Sequence, residues 1–363
     1  MIVTLSQAVE QILSGEPVAI PTETVYGLAA SLFHPDAIQK TFRIKGRPAD
    51  NPLIVHISDL QMLEHIADNI PDEVAQLARN FWPGALTLVL PKNSKVPDHA
   101  NAGLDTVAVR MPAHPLALQL ISVTGPLTAP SANRSGKPSP TSAQHVLDDF
   151  KGLVPVLDGG ICSIGLESTV LDLSQKPFTI LRPGMIGVAE LRQVLKCDVT
   201  MPHNHKVVRL ANETETDFEN IDEKDEKHEI DKHEIDKHGI DKLRKSPGTR
   251  YKHYAPLARV LWASSESYRT HHSRVMVIRH LAQTNFGTEI HTYDQGHIYS
   301  FHGDYEQFAT QLYELFRRAD REGYQTILIE PFPEPITNPV CLALKNRIEH
   351  AISQDSNLPE TLS

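Results

Sequence analysis

A polar segment near the middle of the chain divides it into two parts with the composition of globular domains. Residues 213–245 contain 13 acidic and 7 basic residues, and a five-residue unit recurs there as KHEID, KHEID and KHGID. A period of five matches neither a strand nor a helix. We therefore predict a linker over residues 201–257, a larger domain at 1–200, a smaller one at 258–352 and a tail at 353–363.

The repeat carries three evenly spaced histidines, His228, His233 and His238, which raises the alternative of a metal site. A solvated linker is the favoured interpretation, because nothing in such a segment holds imidazoles in one geometry. The rest of the chain has 32 acidic and 28 basic residues. Proteins that hold nucleic acid by its phosphates normally carry a basic surplus. The overall charge therefore argues against that class, although a local basic patch stays open.

Other features of the chain bear on its compartment. No apolar run reaches the roughly 20 residues that cross a bilayer, and Met1–Thr4 show no basic segment ahead of an apolar stretch. The cysteines Cys162, Cys197 and Cys341 lie far apart, without a CxxC pair. This spacing is typical of a reducing compartment rather than of a zinc ribbon or a disulfide scaffold. We expect a soluble cytoplasmic protein that does not enter membranes.

Short apolar runs alternate with helical patterns in both parts, which indicates an α/β fold. The first part predicts a twisted mixed sheet with packed helices, from strands near 18–20, 53–57, 86–90, 106–110, 127–129 and 169–173 and helices at 35–42 and 72–81. The second part predicts a smaller, open and mainly parallel sheet, from strands at 260–262, 275–278 and 326–329 and helices at 305–321 and 341–352.

Three loops carry polar groups suited to an anionic ligand: Arg43–Pro48, Ala129–Thr141 and Pro21–Leu28. The sequence has no P-loop and no GxGxxG motif, so a nucleotide would be held by cations, hydroxyls and backbone amides. Each loop also has an ordinary interpretation, respectively a solvated basic turn, a surface loop and a strand-to-helix turn. The same ambiguity applies to polar residues that flank predicted strands: Asn51, His56, Thr106, Arg110, Ser168 and Arg182.

Taken in chain order, eight segments together resemble the threonylcarbamoyl-AMP synthases of the YrdC/Sua type. They are PTETVYGL, RIKGRPADNPLIVHI, FWPGALTLVL, VAVRMPAHP, TAPSANRSGKPSPT, GLESTVLDL, ILRPG and SPGTRYKHYAP. The resemblance spans residues 1 to about 200, Ser246–Pro256 and, more loosely, the C-terminal part. That last part marks the longer, two-domain branch of the family, with a YrdC-like catalytic domain and a Rossmann-like C-terminal domain.

The resemblance implies a nucleotidyltransferase that holds ATP and L-threonine in one concave cleft. The implied reaction joins L-threonine, bicarbonate or CO₂, and ATP into L-threonylcarbamoyladenylate and pyrophosphate. A separate threonylcarbamoyl-transferase would then modify an adenosine beside the tRNA anticodon, and whether this chain contacts tRNA is left open. The nucleophile is a carbamate oxygen of the substrate, so no protein nucleophile is needed.

Residue roles follow from the matching motifs alone. The ATP site would comprise Lys45, Arg47, Asn51, Thr106, Ser131, Asn133, Ser139, Arg182 and His253. The threonine site would comprise Thr24, His56, Arg110 and Ser168. Tyr251, His253 and Tyr254 would form a lid over the cleft. Lys45 and Arg47 would neutralise substrate charge, Arg110 would suit the threonine carboxylate, and Mg²⁺ would ride on ATP phosphates and water without a protein cage.

Different classes of function remain as alternatives. Lys45, Arg47, Arg134 and Lys137 could line a basic groove for double-stranded RNA. A carbamoyltransferase of the hydrogenase-maturation type is disfavoured, because its paired cysteines are missing. A purely regulatory ATP-binding protein would leave the amino-acid motifs without a role.

Overall fold

The computed structural model describes residues 1–201, 254–264, 274–281 and 297–352. Within these residues the N-terminal part forms one mixed sheet in the order β1-β8-β2-β3-β7-β4-β6-β5-β9-β10-β11. Its strands are β1 (Ile2–Val3), β2 (Val18–Ile20), β3 (Gly27–Ser31), β4 (Ile54–His56), β5 (Leu86–Pro91), β6 (Thr106–Arg110), β7 (Leu127–Thr128), β8 (Val156–Leu157), β9 (Thr169–Asp172), β10 (Phe178–Arg182) and β11 (Val199–Thr200).

Helices cover this sheet and bury its apolar side chains. They are α1 (Leu5–Leu13), α2 (Pro35–Lys45), α3 (Glu73–Phe81), α4 (Asp98–Asn101), α5 (Pro115–Thr124), α6 (Ala143–Phe150) and α7 (Val188–Leu195), with a 3₁₀ turn at Leu60–His65. The main core gathers aliphatic residues of α2, α3 and α7 with the inner faces of strands β4, β5, β6 and β9. A second core lies where α1 and α5 pack beside β2 and β3. We call residues 1–201 the N-terminal unit.

The remaining described residues form a smaller parallel sheet, in the order β12-β15-β13-β14, with two helices. The strands are β12 (Arg259–Trp262), β13 (Val275–Arg279), β14 (Ile298–Ser300) and β15 (Thr326–Ile329), and the helices are α8 (Tyr305–Glu322) and α9 (Pro339–Ile352). Helix α8 is amphipathic, and Phe308, Leu312, Leu315 and Phe316 are buried at helical spacing. We call these residues the C-terminal unit.

The predicted α/β class and both sheet types are confirmed, and two local expectations are corrected. The segment Pro21–Leu28 does not lead into a helix; it joins β2 to the antiparallel strand β3, which begins at Gly27. The basic run Arg43–Pro48 is only partly a loop, because α2 continues to Lys45. Gly46 ends that helix with φ 62° and ψ 35°, a left-handed conformation that glycine adopts easily.

The two units are packed against each other through loops of the first and helix α8 of the second. Arg317 of α8 forms a two-pronged ion pair with Asp149, with nitrogen–oxygen distances of 3.2 and 2.8 Å. Gly165 meets the same helix so closely that a Cβ there would lie 2.5 Å from the Thr310 Cα. The carbonyl of Gly136 accepts a hydrogen bond from the Ala255 amide at 2.9 Å. The C-terminal unit therefore packs directly against the N-terminal unit.

Several expectations fall outside the described residues: the five-residue repeat, Tyr251, His253 and the tail at 353–363. The domain boundaries placed at residues 200 and 258 stay predictions. Among the helices of the described ranges, none combines the length and the apolar character that crossing a membrane requires.

Candidate active site

A cavity that is partly open to solvent lies where the ends of several strands meet the polar loops. The cavity brings together eight of the residues singled out from the sequence: Thr24, Arg47, His56, Arg110, Ser131, Ser168, Arg182 and Tyr254. Apolar side chains, including Val25, Leu53 and Ile54, complete its wall.

Strand register places two of these side chains next to each other. His56 and Arg110 are the last residues of β4 and β6, which are parallel neighbours, and the two residues are register partners. The carboxyl ends of parallel strands are where α/β proteins commonly bind ligands. The strand Thr106–Arg110 therefore pairs within the sheet and places the guanidinium of its last residue at the cavity.

Arg110 already has a carboxylate partner within the protein. Its Nη2 lies 2.6 Å from Oε1 of Glu23, its Nη1 donates to Thr24 Oγ1 at 2.7 Å and its Nε donates to the Gly84 carbonyl at 3.0 Å. Burial raises the pKa of Glu23, but the charge and hydrogen bonding of Arg110 outweigh it and hold the pKa below its usual value. Glu23 is therefore ionised, and a ligand carboxylate would share Arg110 with it.

His56 presents a neutral imidazole to the cavity. Burial, with the Arg110 charge next in importance, lowers the pKa of His56 to about 3. Its Nδ1 lies 3.2 Å from the Ile54 carbonyl. A neutral ring that donates from Nδ1 to this carbonyl keeps Nε2 as an acceptor. The site can thus accept a hydrogen bond from a hydroxyl or an ammonium group at that position.

Lys45 does not line the cavity. Its side chain is 3% exposed, and its Nζ donates to the backbone carbonyls of Ser131 and Asn133. Burial lowers the pKa of Lys45 well below its usual value, and the Arg47 charge lowers it further. Lys45 therefore fixes the shape of the 131–141 loop from behind. Asn133 acts in the same loop, since its Nδ2 donates to the carbonyls of Arg134 and Lys137, both at 2.8 Å.

Two arginines, Arg47 and Arg182, supply cationic groups to the cavity wall. Arg47 donates through Nη2 to the Pro52 carbonyl at 3.0 Å. Arg182 donates through Nε and Nη2 to the Ser168 carbonyl at 3.1 and 3.0 Å. The Ser168 hydroxyl also accepts from Arg182 and bonds to Thr87 Oγ1 at 2.7 Å. These bonds hold Ser168 and Arg182 as one rigid group.

Other residues carried over from the motifs lie outside the cavity lining: Asn51, Thr106 and Ser139. All three are buried. Ser139 donates its hydroxyl to Oε1 of Glu167 at 2.6 Å and so contacts the cavity wall indirectly.

Two carboxylates inside the quoted motifs, Glu23 and Glu167, have structural partners that the sequence did not predict. Each is less than a tenth exposed. Acidic side chains are almost never this buried without a partner. An acidic residue in an otherwise apolar or hydroxyl-rich motif was the available signal, and it pointed to a cation elsewhere in the chain.

The basic-groove alternative is not supported by the placement of its residues. Lys45 is buried against carbonyls, and Lys137 pairs with Asp149 at 3.4 Å. Arg134 donates its Nε to the Asp149 carbonyl at 3.3 Å. Arg134 and Lys137 are exposed and contact helix α6, whereas Lys45 is buried and Arg47 lines the cavity, so the four cations do not share one exposed groove.

The chain matches known proteins over almost its whole length. A family model described as "Telomere recombination" matches residues 10–184, and one described as the C-terminal domain of threonylcarbamoyl-AMP synthase matches residues 186–353. The chain is 39% identical over 345 residues to the threonylcarbamoyl-AMP synthase of Pyrococcus abyssi, covering 94% of this chain and 91% of that protein. It is 37% identical over 361 residues to the Bacillus subtilis protein of the same name, covering 96% and 92%.

A solved structure supports the same relationship. The Sua5 protein of P. abyssi, in complex with L-threonine, matches the described fold with a TM-score of 0.76 and 36% identity. The match covers 97% of this chain and 98% of that one, so both units take part in it.

Proposed function

The chain belongs to the threonylcarbamoyl-AMP synthase family, and on that premise we propose that it joins L-threonine, bicarbonate or CO₂, and ATP into L-threonylcarbamoyladenylate, with release of pyrophosphate. A separate threonylcarbamoyl-transferase would take the product to an adenosine of tRNA. The observation that carries the proposal is that two groups of polar side chains share one cavity. One group is Thr24, His56 and Arg110, and the other is Arg47, Ser131 and Arg182.

Charge explains why such a cavity suits this reaction. The threonine carboxylate, the carbamate and the triphosphate are all anions, and two negative charges ~4 Å apart repel by about 4 kcal/mol at an effective dielectric of 20. Arg47 and Arg182 bring fixed positive charge to the wall. The carbamate oxygen attacks the α-phosphorus and pyrophosphate leaves, so the residues position the reactants and neutralise charge.

We assign threonine to the side of the cavity formed by Thr24, His56 and Arg110. Arg110 would hold the carboxylate while Glu23 keeps the guanidinium in place. The Nε2 of neutral His56 would accept a hydrogen bond from the amine or the hydroxyl of the substrate. P. abyssi Sua5, which binds L-threonine in its solved complex, supports this choice of amino acid.

Mg²⁺ enters the proposal as part of the ATP substrate. In the described ranges no three His, Cys, Asp or Glu side chains are grouped to hold a metal ion. The carboxylate on the cavity wall, Glu167, is engaged by Arg347 and Tyr313. Phosphate oxygens and water would therefore carry the ion, as is common for Mg²⁺ with nucleotides.

The test is to incubate the protein with ATP, Mg²⁺, bicarbonate and each amino acid in turn, with detection of the adenylate by mass and of pyrophosphate by a coupled assay. We expect product with threonine. Serine should react less well, by about 1 kcal/mol or slightly more in transition-state binding, because it lacks one methyl group. Pyrophosphate release that does not depend on the amino acid would contradict the proposal. Absence of any release would also contradict it and would favour the nucleic-acid-binding or regulatory alternatives.

A further inference from the structure

A buried carboxylate at the cavity wall ties the two units together. Glu167 precedes β9 and accepts hydrogen bonds from three side chains, Ser139 at 2.6 Å, Tyr313 at 3.0 Å and Arg347 at 2.7 Å. Tyr313 and Arg347 belong to helices α8 and α9, and both are 0% exposed. We call Glu167, Tyr313 and Arg347 the hub.

The hub also forms the seat of Tyr254. The Tyr254 ring stacks on Tyr313, with centroids 5.6 Å apart and an interplanar angle of 27°. The Arg347 guanidinium lies 5.5 Å from the centroid of the same ring, and His350 meets it edge-on at 6.2 Å. Tyr254 in turn lines the cavity. The C-terminal unit thus determines where this part of the cavity wall stands.

The charges around Glu167 keep it ionised in this dry setting. Burial raises its pKa, but the positive charges of Arg347 and Arg182 and the hydrogen bonds from Ser139 and Arg347 outweigh burial and lower it. A second buried ion pair, Arg317 with Asp149, crosses the same interface but is not part of the cavity lining. Docking of the units therefore does not by itself require a charge at the cavity.

We propose that Glu167, Tyr313 and Arg347 are positioning residues for the reaction, through which the C-terminal unit fixes Tyr254 at the cavity and Ser139 behind the cavity wall. The inference rests on the proposed function, since the substrates are those named above. None of the three needs to react. Glu167 transfers the position of α8 and α9 to the 131–141 loop through Ser139, and Tyr313 and Arg347 hold the aromatic ring that closes the wall.

Removing single hydroxyl groups tests this with little disturbance of packing. Tyr313→Phe keeps the ring that stacks on Tyr254 and deletes the donor to Glu167. Tyr324→Phe is the matched control, because it deletes a hydroxyl of the same unit that bonds to His297 at 2.6 Å, outside the cavity lining. We expect Tyr313→Phe to raise the KM for ATP at least fivefold, whereas Tyr324→Phe leaves KM and kcat within twofold of the wild type.

Glu167→Gln is the second variant, since it keeps the shape and removes the charge that Arg347 requires. We expect a KM increase for ATP larger than that of Tyr313→Phe, in protein whose melting curve stays cooperative. Equal KM values in Tyr313→Phe and Tyr324→Phe, with Glu167→Gln altered only in melting temperature, would reduce the hub to a structural contact and overturn the inference.

The wild-type protein, assayed alongside, separates this inference from the proposed function. Threonine-dependent pyrophosphate release in the wild type, together with unchanged KM values in the variants, would support the proposed function and contradict the positioning role of the hub. If the wild type released no pyrophosphate, the proposed reaction would fail. The hub would then be judged by the rise in melting temperature that ATP causes, which it predicts to be smaller in Tyr313→Phe than in Tyr324→Phe, and equal rises would overturn it.

Discussion

The two sides of the cavity are built in different ways. The side with Thr24, His56 and Arg110 is formed within the N-terminal unit, where parallel strands β4 and β6 place their last residues together. The side with Glu167 and Tyr254 is completed by helices α8 and α9 of the other unit. Each side contains a buried ion pair. Arg110 meets Glu23 within one unit, whereas Arg347 meets Glu167 across 180 residues of chain.

One part of the cavity wall therefore forms when the N-terminal unit folds, and the other forms only when the two units dock. A buried ion pair contributes little net stability, but removing one partner leaves an uncompensated charge and is costly. The Glu23–Arg110 pair therefore makes the first side sensitive to substitutions in its own sheet. The second side is sensitive to anything that shifts α8 relative to the first sheet, including changes far from the substrates.

The largest effect is expected from Arg110→Met. It leaves the buried Glu23 carboxyl group without its cation, and should lower the free energy of unfolding by about 3–5 kcal/mol in urea titrations. Product formation should also be lost. The double variant Glu23→Gln, Arg110→Met should recover most of the stability but not the activity, because it removes the stranded charge and not the need for a cation. Additive losses in the double variant would show that the pair is not coupled.

The next largest effect tests the docking side through Gly165→Ala. Gly165 has φ 78°, and its new Cβ would lie 2.5 Å from Thr310 Cα and 2.6 Å from the Ala309 carbonyl oxygen. Both atoms belong to the backbone of α8, so the helix itself must move. Gly152→Ala is the matched control, since Gly152 has φ 82° and no atom within 4 Å of the new Cβ.

Both substitutions place an alanine at a similar positive φ, so the difference in stability between the two variants measures the contact with α8. We expect Gly165→Ala to be less stable than Gly152→Ala by about 1–3 kcal/mol, as is usual for overpacking. The KM for ATP should also rise, because Tyr313 is carried by the displaced helix. Equal stability of the two variants would mean that α8 can shift away from residue 165 with no loss in the free energy of unfolding.

The sequence predicted the first side better than the second for a physical reason. The strand at Thr106–Arg110 was predicted with its observed bounds, since period-two alternation is a local signal. Helix α2 runs three residues beyond the predicted end at residue 42, because the basic residues near its carboxyl end suit a helix terminus. That extension places Lys45 in the last turn, with its ammonium against the carbonyls of Ser131 and Asn133 and not in the cavity.

The second side depends on contacts that no local pattern encodes. Arg347 stands in a helix that the sequence predicted, but its partner Glu167 is 180 residues away and becomes a neighbour only after docking. The motifs placed Ser168 at the site and left the adjacent Glu167 without a role. A family resemblance names residues that touch ligands. It does not name the residues that hold them, and both overlooked carboxylates are of the second kind.

A smaller effect should appear in the pH dependence of stability, through His56. Its pKa is about 3 when folded, against an ordinary value of 6.5. Below pH 6.5 the unfolded chain takes up a proton that the folded protein does not bind, so stability falls as the pH falls toward 3. His56→Asn, which can still donate to the Ile54 carbonyl, should flatten this loss by about 1 kcal/mol per pH unit between pH 6 and pH 4.

Urea titrations at several pH values measure this slope. His65→Asn replaces an exposed histidine and is the control for losing one imidazole. An unchanged slope in His56→Asn would mean that His56 is protonated in the folded protein. The first side of the cavity would then carry one more positive charge than we assign to it.

The smallest effect is expected from Glu314→Gln, at an interface contact that ends away from the cavity. Glu314 of α8 lies 2.6 Å from His145 Nε2 and is 40% exposed. The Thr141 amide donates to His145 Nδ1, so a neutral ring can still donate from Nε2 to the glutamine oxygen. Glu314 also pairs with Arg321 at 2.6 Å, and its partly exposed position screens both contacts, so we expect a loss of at most about 1 kcal/mol with KM unchanged. A KM increase as large as that of Tyr313→Phe would show that every contact of α8 reaches the substrates. The KM would then depend on the docking of the two units as a whole, and the hub would not differ from the rest of the interface.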